Sequence, residues 1–381
     1  MQVSRRGAVD PFIVMDVMEQ ARAAEDAGRH IIHMEVGQPG TGAPSGALAR
    51  LGEEMAGDPL GYSVALGIPA LRARIARHYG EWYGVDLDPA RVIVTAGASG
   101  AFLLSFTALF DAGARVGLGL PCYPSYRQIL RALSLEPVHI RTRLQNGMQP
   151  VPAELEGLGL NGLLLASPNN PTGAMLDRDR LAEMAAACEA RGIALISDEI
   201  YHGIGNAPVS ALEVTDEVHV INSFSKYFSM TGWRVGWMVV PPDHVRLVER
   251  LAQNMFICPS HAAQRLALHA FDCPEELEAN AAVYEANRAM MVEVLAAMGL
   301  GRIAPPDGAF YIYADVSAFT GDSLAFAGEI LAEAGVAVTP GLDFDPEEGH
   351  RWMRFSYARA TADIEEGLAR LSAFFARRAA A

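Results

Sequence analysis

The chain has 381 residues, 51% of them hydrophobic and 20% charged, a composition that excludes a disordered protein and leaves room for one large and one smaller domain. Its formal charge of -15, with no long basic run, argues against a nucleic-acid or anionic-membrane partner. The four cysteines are scattered without a CxxC pair, which is typical of reduced cytosolic thiols and not of a structural zinc site.

The first predicted element is a helix whose packed apolar face begins in residues 11–18. These side chains could instead form part of a wall for an apolar or aromatic substrate. Arg5 and Arg6 precede the segment, but Asp10 and Pro11 interrupt it and no signal-peptide core develops. No apolar run reaches the roughly 20 residues of a membrane helix, so we expect a cytoplasmic protein.

Between residues 91 and 240, short apolar runs alternate with helix-like segments such as 180–190. Each run is apolar at both odd and even positions, which suits a strand covered on both faces of a mostly parallel sheet. The alternation therefore predicts an α/β domain. The runs are 92–95, 116–120, 163–166, 193–196, 218–221 and 235–240.

Beyond Pro274 the alternation of strands and helices gives way to another pattern. It contains a long helix at 275–298, mixed strands at 309–315 and 351–356, and a terminal amphipathic helix from Ala362. This predicts a second, smaller α+β domain, which the N-terminal segment joins by folding back. The predicted boundaries are 45–275 for the large domain and 1–44 with 276–381 for the small one.

Polar or small residues follow five consecutive runs of the predicted sheet. Because ligands gather beyond the carboxyl ends of parallel strands, we expect these segments to form one site. They are residues 97–100, 122–126, 167–173, 198–201 and 223–226.

Lys226 is the only lysine among 30 lysine and arginine residues. Biased codon usage would explain the depletion of lysine, but not the position of the one that remains. A guanidinium stays protonated and is a poor nucleophile, whereas a desolvated amine can lose its proton and condense with a carbonyl. The position of Lys226 at a strand end favours a reactive amine.

Three features near Lys226 could bind an anion. The turn at 95–99 leads into a helix and offers free N–H groups at a positive dipole end. Ser223 and Ser225 could donate hydroxyls, and Arg234 could bind a phosphate through two N–H groups. Each also has a structural alternative: a capped turn, serines that satisfy local backbone, or a surface ion pair. Together, around one amine, they favour a bound phosphate.

Four further side chains suit a flat cofactor ring. Asp198 ends an apolar strand and could hold a protonated ring nitrogen, as pyridoxal phosphate (PLP) requires. Tyr123 could stack on the ring, and Asn170 and Tyr201 could donate to its phenolic oxygen. The alternatives are a structural role for the carboxylate, core packing for the tyrosine and a simple turn at the Asn-Pro sequence.

These motifs jointly resemble the class I/II aminotransferases of PLP fold type I, over residues 35–360. The resemblance implies an α/β fold whose large domain holds a mostly parallel, seven-stranded-type sheet. It also implies an enzyme that exchanges an amino group between an α-amino acid and an α-keto acid by a ping-pong mechanism. The matching segments are Ser223-x-Ser-Lys226, Gly232-x-Arg234-x-Gly236, residues 167–173, Asp198-x-x-Tyr201, Tyr62…Gly67…Leu71-Arg72, and Arg354 in 353–356.

The resemblance also implies a role for each matched residue. Lys226 would form the Schiff base with the cofactor aldehyde and then move a proton between the substrate Cα and the cofactor C4′. Asp198 would keep the pyridine nitrogen protonated. A homodimer with shared active sites would follow, because one phosphate contact comes from the neighbouring subunit. The remaining roles are ring contacts by Tyr123, Asn170 and Tyr201; phosphate contacts by Ala98, Ser99, Ser223, Arg234 and the neighbouring Tyr62; and substrate-carboxylate contacts by Arg354, Asn170 and the backbone near Gly37.

Several other functions are less well supported. No second arginine can be assigned to a substrate side-chain carboxylate, so the sequence does not support aspartate specificity. A PLP-dependent β-lyase of the same fold is the main alternative. A non-catalytic PLP-binding sensor is a more distant one, since no basic helix-turn-helix precedes the fold. A nicotinamide dehydrogenase and a metal hydrolase would need GxGxxG and HExxH motifs, which the sequence lacks.

Overall fold

The computed structural model describes residues 2–379, which form three β-sheets and the helices packed on them. The strands are β1 (Ile32–His33), β2 (Val92–Thr95), β3 (Arg115–Leu120), β4 (Glu136–Arg141), β5 (Gly162–Ala166), β6 (Ala194–Asp198), β7 (Val218–Ser223), β8 (Gly236–Val239), β9 (Tyr311–Asp315), β10 (Val336–Ala337), β11 (Thr339–Pro340) and β12 (Trp352–Ser356). The α-helices are α1 (Ile13–Asp26), α2 (Ser45–Met55), α3 (Pro69–Tyr83), α4 (Gly97–Leu109), α5 (Pro124–Ala132), α6 (Arg178–Glu189), α7 (Val245–Met255), α8 (His261–Ala270), α9 (Pro274–Ala297), α10 (Ser323–Ala334) and α11 (Thr361–Ala379).

The central sheet has seven strands in the order β2-β8-β7-β6-β5-β3-β4. Neighbours from β7 to β4 run parallel, whereas β8 is antiparallel to both β2 and β7. The predicted α/β fold with a mostly parallel sheet is confirmed. The antiparallel direction of β8 was not predictable, because an apolar run indicates burial and not direction.

Both faces of this sheet are covered, which explains why its strands are apolar at successive positions. Ile93 and Leu164 pack in one buried cluster together with Phe106 of α4. Their neighbours Val94 and Leu163 belong to a second cluster, which also contains side chains from α3 and α6. Alternate residues of a strand point to opposite faces, so each face contributes to a separate core.

Strand β4 forms one edge of the sheet and is missing from the sequence prediction. Its residues are mostly partly buried or exposed, and it includes Pro137, a residue that is tolerated at sheet edges. An edge strand with charged ends lacks the apolar pattern that identifies the central strands.

The C-terminal part contains an antiparallel sheet in the order β11-β12-β9, and helices α9, α10 and α11 accompany it. β1 pairs in parallel with β10, and the Met34 N–H donates to the Ala337 carbonyl at 2.9 Å. This pairing joins the N-terminal segment to the C-terminal part of the chain. The division into a large domain, 45–275, and a small domain, 1–44 with 276–381, stays a prediction. Within residues 2–379, none of the helices combines the length and apolarity needed to cross a membrane.

Candidate active site

A cavity of about 220 Å³ lies beyond the carboxyl ends of β6 and β7, with residues of β9 and β12 in its lining. It brings together most of the residues that the sequence analysis selected. Ser223 is buried beside the lining and Tyr62 lies on the surface, so neither faces the cavity. The selected residues in the lining are Gly37, Ala98, Ser99, Tyr123, Asn170, Asp198, Tyr201, Ser225, Lys226, Arg234 and Arg354.

Lys226 follows β7 in a short turn and extends its amine into the cavity. Nζ donates to the Gly37 carbonyl at 2.5 Å and lies 5.5 Å from the centre of the Tyr201 ring. Burial lowers the pKa of this amine to about 7, and the charges of Arg354 and Arg234 act in the same direction. A large fraction of the amine is therefore neutral at pH 7, as a nucleophile or a base must be.

Asp198 ends β6 with its side chain buried at the cavity floor. Burial raises the pKa of its carboxyl to about 6, while hydrogen bonds from Tyr126 and the Ile200 N–H oppose this increase. The Ile200 N–H donates to Oδ1 at 3.0 Å, and the Tyr126 hydroxyl donates to Oδ2. These donors keep the group mostly ionised at neutral pH, so that it presents a buried negative charge to the cavity.

Arg354 lies on β12 between the rings of Tyr311 and Phe344, which are 4.3 and 4.7 Å from its Cζ atom. Nη1 donates to Asn170 Oδ1 at 2.8 Å, and Nη2 donates to Thr339 Oγ1 at 3.2 Å. The side chain is buried, and Nε has no hydrogen-bond partner. A guanidinium held by rings and neutral acceptors keeps its positive charge available to an anionic ligand.

Tyr201 and Tyr311 share a hydrogen bond of 2.8 Å between their hydroxyls. Tyr311 in turn restricts residue 37, because a Cβ atom there would lie 1.8 Å from its hydroxyl. Gly37 is therefore required for the close approach of its backbone to Tyr311.

The opposite end of the cavity is built from the start of α4 and the loop before β8. Arg234 has a left-handed backbone with φ of 53°, which is rare outside glycine. Its Nη1 donates to the Thr231 carbonyl at 3.0 Å and lies 3.5 Å from Ser225 Oγ. Gly97, with φ of +69°, has no side chain there, and a Cβ atom would lie 2.5 Å from Arg234 Nη2.

Ser223 supports this end of the cavity indirectly. Its hydroxyl donates to Ser225 Oγ at 2.9 Å and approaches the Val235 carbonyl at 3.2 Å. It therefore fixes the Ser225 side chain, while its own predicted contact with a phosphate stays a prediction.

Sequence comparison identifies the family. Residues 29–371 match the family model of aminotransferase class I and II. The chain belongs to this family. A valine–pyruvate aminotransferase of Mycobacterium tuberculosis is 44% identical, and the match covers 98% of each chain. The enzyme is thus an aminotransferase that exchanges an amino group between an α-amino acid and an α-keto acid.

Solved structures agree with the assignment of this chain to the aminotransferase family. A crystal structure of an aminotransferase from Mycobacterium tuberculosis has a TM-score of 0.97 at 43% identity and covers 99% of this chain and 100% of its own. A structure from Silicibacter pomeroyi has a TM-score of 0.95 at 66% identity, with the same coverage. The aspartate aminotransferase of Thermus thermophilus with maleate is 29% identical, covers 98% of this chain and 99% of its own, and has a TM-score of 0.91.

Several residues of the aminotransferase site had no assigned role in the sequence analysis. Tyr126 lies within the polar segment after β3, so its proximity to the site was signalled but its contact with Asp198 was not. Tyr311 and Thr339 belong to the C-terminal strands and carry no local motif. The apolar segment 11–18 leads into α1 at Ile13, where Val14 and Val17 are buried as predicted. Phe12, Val14, Met15 and Met18 also line the cavity, and the alternative that they form a wall for a substrate stays a prediction.

Proposed function

We propose that this aminotransferase binds PLP in the cavity around Lys226 and transfers the amino group of an apolar α-amino acid to a small α-keto acid such as pyruvate. The observation that supports an apolar α-amino acid as substrate is the lining of the cavity. Its basic residues have other roles in the proposal, and the part of the wall formed by the N-terminal segment, residues 12–18, is apolar. The similarity to a valine–pyruvate aminotransferase supports the same conclusion.

The cavity fits PLP by the chemistry of its residues. Its cradle near Arg234 exists because Gly97 has no side chain, and the N–H groups at the start of α4 favour an anion. Ala98, Ser99, Ser225 and Arg234 would hold the phosphate, with Ser223 behind them. The family as a whole depends on PLP, which supports this assignment.

Tyr123 would pack on the ring, and Asn170 and Tyr201 would donate to its phenolic oxygen. Asp198 would accept a hydrogen bond from the ring nitrogen and stabilise its protonated form. When bound, PLP supplies an aldehyde that takes up an amino group and a conjugated ring that withdraws electrons from the substrate Cα.

Lys226 carries the proton chemistry in this proposal. Its amine, with a pKa of about 7, is neutral often enough to attach to the aldehyde and later to remove the proton from the substrate Cα. The Gly37 carbonyl accepts a hydrogen bond from Nζ and orients it. The nearby guanidinium groups disfavour a permanently protonated amine, so the same group can accept and return a proton.

The substrate α-carboxylate would bind Arg354, together with Asn170 and the backbone near Gly37. Burial and the two flanking rings exclude water from this guanidinium, which strengthens an ion pair. The unpaired Nε provides a donor without breaking the contacts that Nη1 and Nη2 make. Asn170 then links carboxylate binding to the cofactor ring.

The substrate side chain would face an apolar wall formed by Phe12, Val14, Met15, Met18 and Val36. The cavity lining has three basic residues, and they are assigned to the proton transfer, the phosphate and the α-carboxylate. A side-chain carboxylate would therefore lose its hydration against carbon atoms, which is unfavourable.

We further propose a cytoplasmic homodimer with shared sites. Tyr62 is 85% exposed and Val64 57% exposed, and the segment that carries them lies outside helices and strands. The resemblance to aminotransferases in which one phosphate contact comes from the neighbouring subunit supports an interface at this segment. Ser99 and Arg234 are also exposed, so a neighbouring Tyr62 could reach the same phosphate. The charge of -15 supports small-molecule substrates and not nucleic acid or anionic membranes as partners.

The test is to add PLP to the apoprotein, reduce with borohydride and map the modified peptide. We expect a visible absorption band and a stable adduct on Lys226. Single-turnover reactions with valine, alanine and aspartate, followed by pyruvate or 2-oxoglutarate, should show faster reaction with valine than with aspartate. A colourless protein would refute cofactor binding, and a preference for aspartate would refute the substrate class. Pyruvate released with ammonia from a donor that carries a β-leaving group, in the absence of a keto-acid acceptor, would indicate a β-lyase.

The shared site has its own test, in which inactive subunits are mixed. Subunits with Tyr62→Ala and subunits with Lys226→Ala should regain activity when they exchange, because one site of the hybrid has both native residues. Mixtures that stay at the level of the separate variants, despite hybrid dimers seen by native mass spectrometry, would contradict shared sites.

A further inference from the structure

The apolar wall of the cavity is part of the N-terminal segment, and its position depends on how α1 begins. Phe12 immediately precedes α1 and Val14 lies in its first turn, and both line the cavity. The residue that precedes the helix is Phe12, whose side chain cannot cap the free N–H groups. Another part of the chain must therefore satisfy them.

Asp343 supplies the missing cap from the loop that follows β11. Oδ1 accepts a hydrogen bond from the Ile13 N–H at 3.1 Å, and Oδ2 accepts one from the Val14 N–H at 3.0 Å. The carboxylate is 2% exposed and stands at the positive end of the helix dipole. One side chain thus caps α1 across 329 residues of sequence.

Asp343 is itself held against the central sheet by Arg127 of α5. Arg127 donates from Nη2 to the Asp343 carbonyl at 2.9 Å and from Nη1 to the Phe344 carbonyl at 3.1 Å. The Phe344 ring then packs on Arg354, the proposed carboxylate ligand. The cap of α1 and the proposed carboxylate site are therefore neighbours in one loop.

A second, weaker attachment of the N-terminal segment lies at the surface of the protein. Asp10 pairs with Arg131 at 2.6 Å and accepts from Gln128 Nε2 at 3.1 Å. The Phe12 ring packs edge-on against Tyr123 with 5.7 Å between centroids. Exposed ion pairs contribute little, so the buried cap contributes more to the placement of the wall than this ion pair does.

We propose that Asp343 is a positioning residue that fixes the apolar wall and so selects amino donors with a sizeable apolar side chain over alanine. The inference rests on the proposed function. Without the carboxylate, the first N–H groups of α1 lose their acceptors in a buried setting, and the first turn shifts or frays. A valine side chain would then lose its contacts, whereas the methyl group of alanine is too short to depend on them.

The experiment compares Asp343→Ala with Asp343→Asn and a matched control, Asp345→Ala. Asp345 is also buried in this loop, but its carboxylate accepts from the Glu347 and Glu348 N–H groups. Two measurements are needed. The first is the rate of the first half-reaction with valine and with alanine, monitored through cofactor absorbance. The second is amide hydrogen exchange of the peptide 10–20 in the apoprotein.

For Asp343→Ala we expect the valine-to-alanine ratio of kcat/KM to fall by about tenfold, the scale of a lost helix cap. Exchange in the peptide 10–20 should become faster. Asp343→Asn keeps one acceptor oxygen, so its valine-to-alanine ratio and its exchange rate should lie between those of Asp343→Ala and the wild type. Asp345→Ala should leave both the ratio and the exchange within twofold of wild type.

Two results would overturn the inference without affecting the proposed function. One is an equal loss for valine and alanine, which would mean that Asp343 only supports the fold. The other is that Asp343→Ala changes neither the amide hydrogen exchange of the peptide 10–20 nor the preference for valine over alanine. A wild-type enzyme that prefers dicarboxylate donors would instead refute the proposed substrate class, and this inference with it.

Discussion

The Tyr126 hydroxyl donates a hydrogen bond to the Asp198 carboxylate, so a side chain of α5 supports the buried acid at the end of β6. Burial alone raises the pKa of Asp198, and this hydrogen bond lowers it. In the proposal, the negative charge of Asp198 stabilises the protonated ring nitrogen. That charge therefore depends on Tyr126, which does not itself contact the ring nitrogen.

Tyr126→Phe should shift the acidic limb of the activity profile to higher pH. Protonation of Asp198 would remove the charge that stabilises the ring nitrogen, so activity should fall on the acidic side as this carboxylate takes up a proton. A hydrogen bond to a charged group contributes about 1.5–3 kcal/mol, so its loss should move the limb upward by about one pH unit or more. Activity should recover at pH 8.5.

The matched control is Tyr357→Phe, which removes a buried hydroxyl that donates to the Ala309 carbonyl at 3.3 Å. It should reduce thermal stability slightly without moving the acidic limb. Identical pH profiles for Tyr126→Phe and wild type, measured as kcat/KM with one donor, would show that the hydroxyl does not tune Asp198.

Lys226→Ala should abolish turnover while circular dichroism and the melting temperature stay close to wild type. Lys226→Arg should be equally inactive, because a guanidinium keeps the charge but neither attaches to an aldehyde nor transfers a proton at neutral pH. The loss of proton transfer alone corresponds to about 10²–10⁴-fold. Turnover by Lys226→Arg within tenfold of wild type would contradict the assignment.

The pKa of this amine gives a separate prediction for the apoprotein. Protonated Lys226 cannot attack an aldehyde, so the rate of PLP capture should rise with pH and reach half its maximum near the pKa of about 7. An exposed lysine would show this midpoint near 10.4. Stopped-flow absorbance of reconstitution between pH 5.5 and 9 measures it, and a midpoint above pH 9 would show that burial does not activate the amine.

The sequence predicted the parts of the site that are local along the chain. Asp198 and Lys226 follow apolar strands, and parallel strands bring their carboxyl ends together, so spacing and burial were sufficient. The contacts of Tyr126 with Asp198, and of Asp343 with α1, join segments 72 and 329 residues apart. No local pattern reports such contacts, because they arise only when separate elements pack. The direction of β8 was missed for the same reason.

Arg354→Ala should mainly weaken the binding of carboxylate substrates. A lost charge-assisted contact of about 1.5–3 kcal/mol corresponds to a KM for valine that is about 10- to 100-fold higher. Arg354→Lys should restore little, since an ammonium cannot donate to Asn170 and a carboxylate in the same planar arrangement. Isobutylamine, which lacks the carboxylate, is the control substrate, and its slow reaction should change less than threefold. An unchanged KM for valine would remove the assigned role.

Gly97→Ala should weaken PLP binding, because the new Cβ atom would lie 2.5 Å from Arg234 Nη2 and φ is +69°. A side chain in this conformation costs about 1–2 kcal/mol, and a displaced guanidinium adds to the loss. The dissociation constant, measured by fluorescence titration of the apoprotein, should rise at least about tenfold. Gly232→Ala is the matched control in the segment that carries Arg234, since its Cβ atom would meet nothing within 4 Å. Equal affinities of the two variants would show that the space between Gly97 and Arg234 does not form the phosphate cradle.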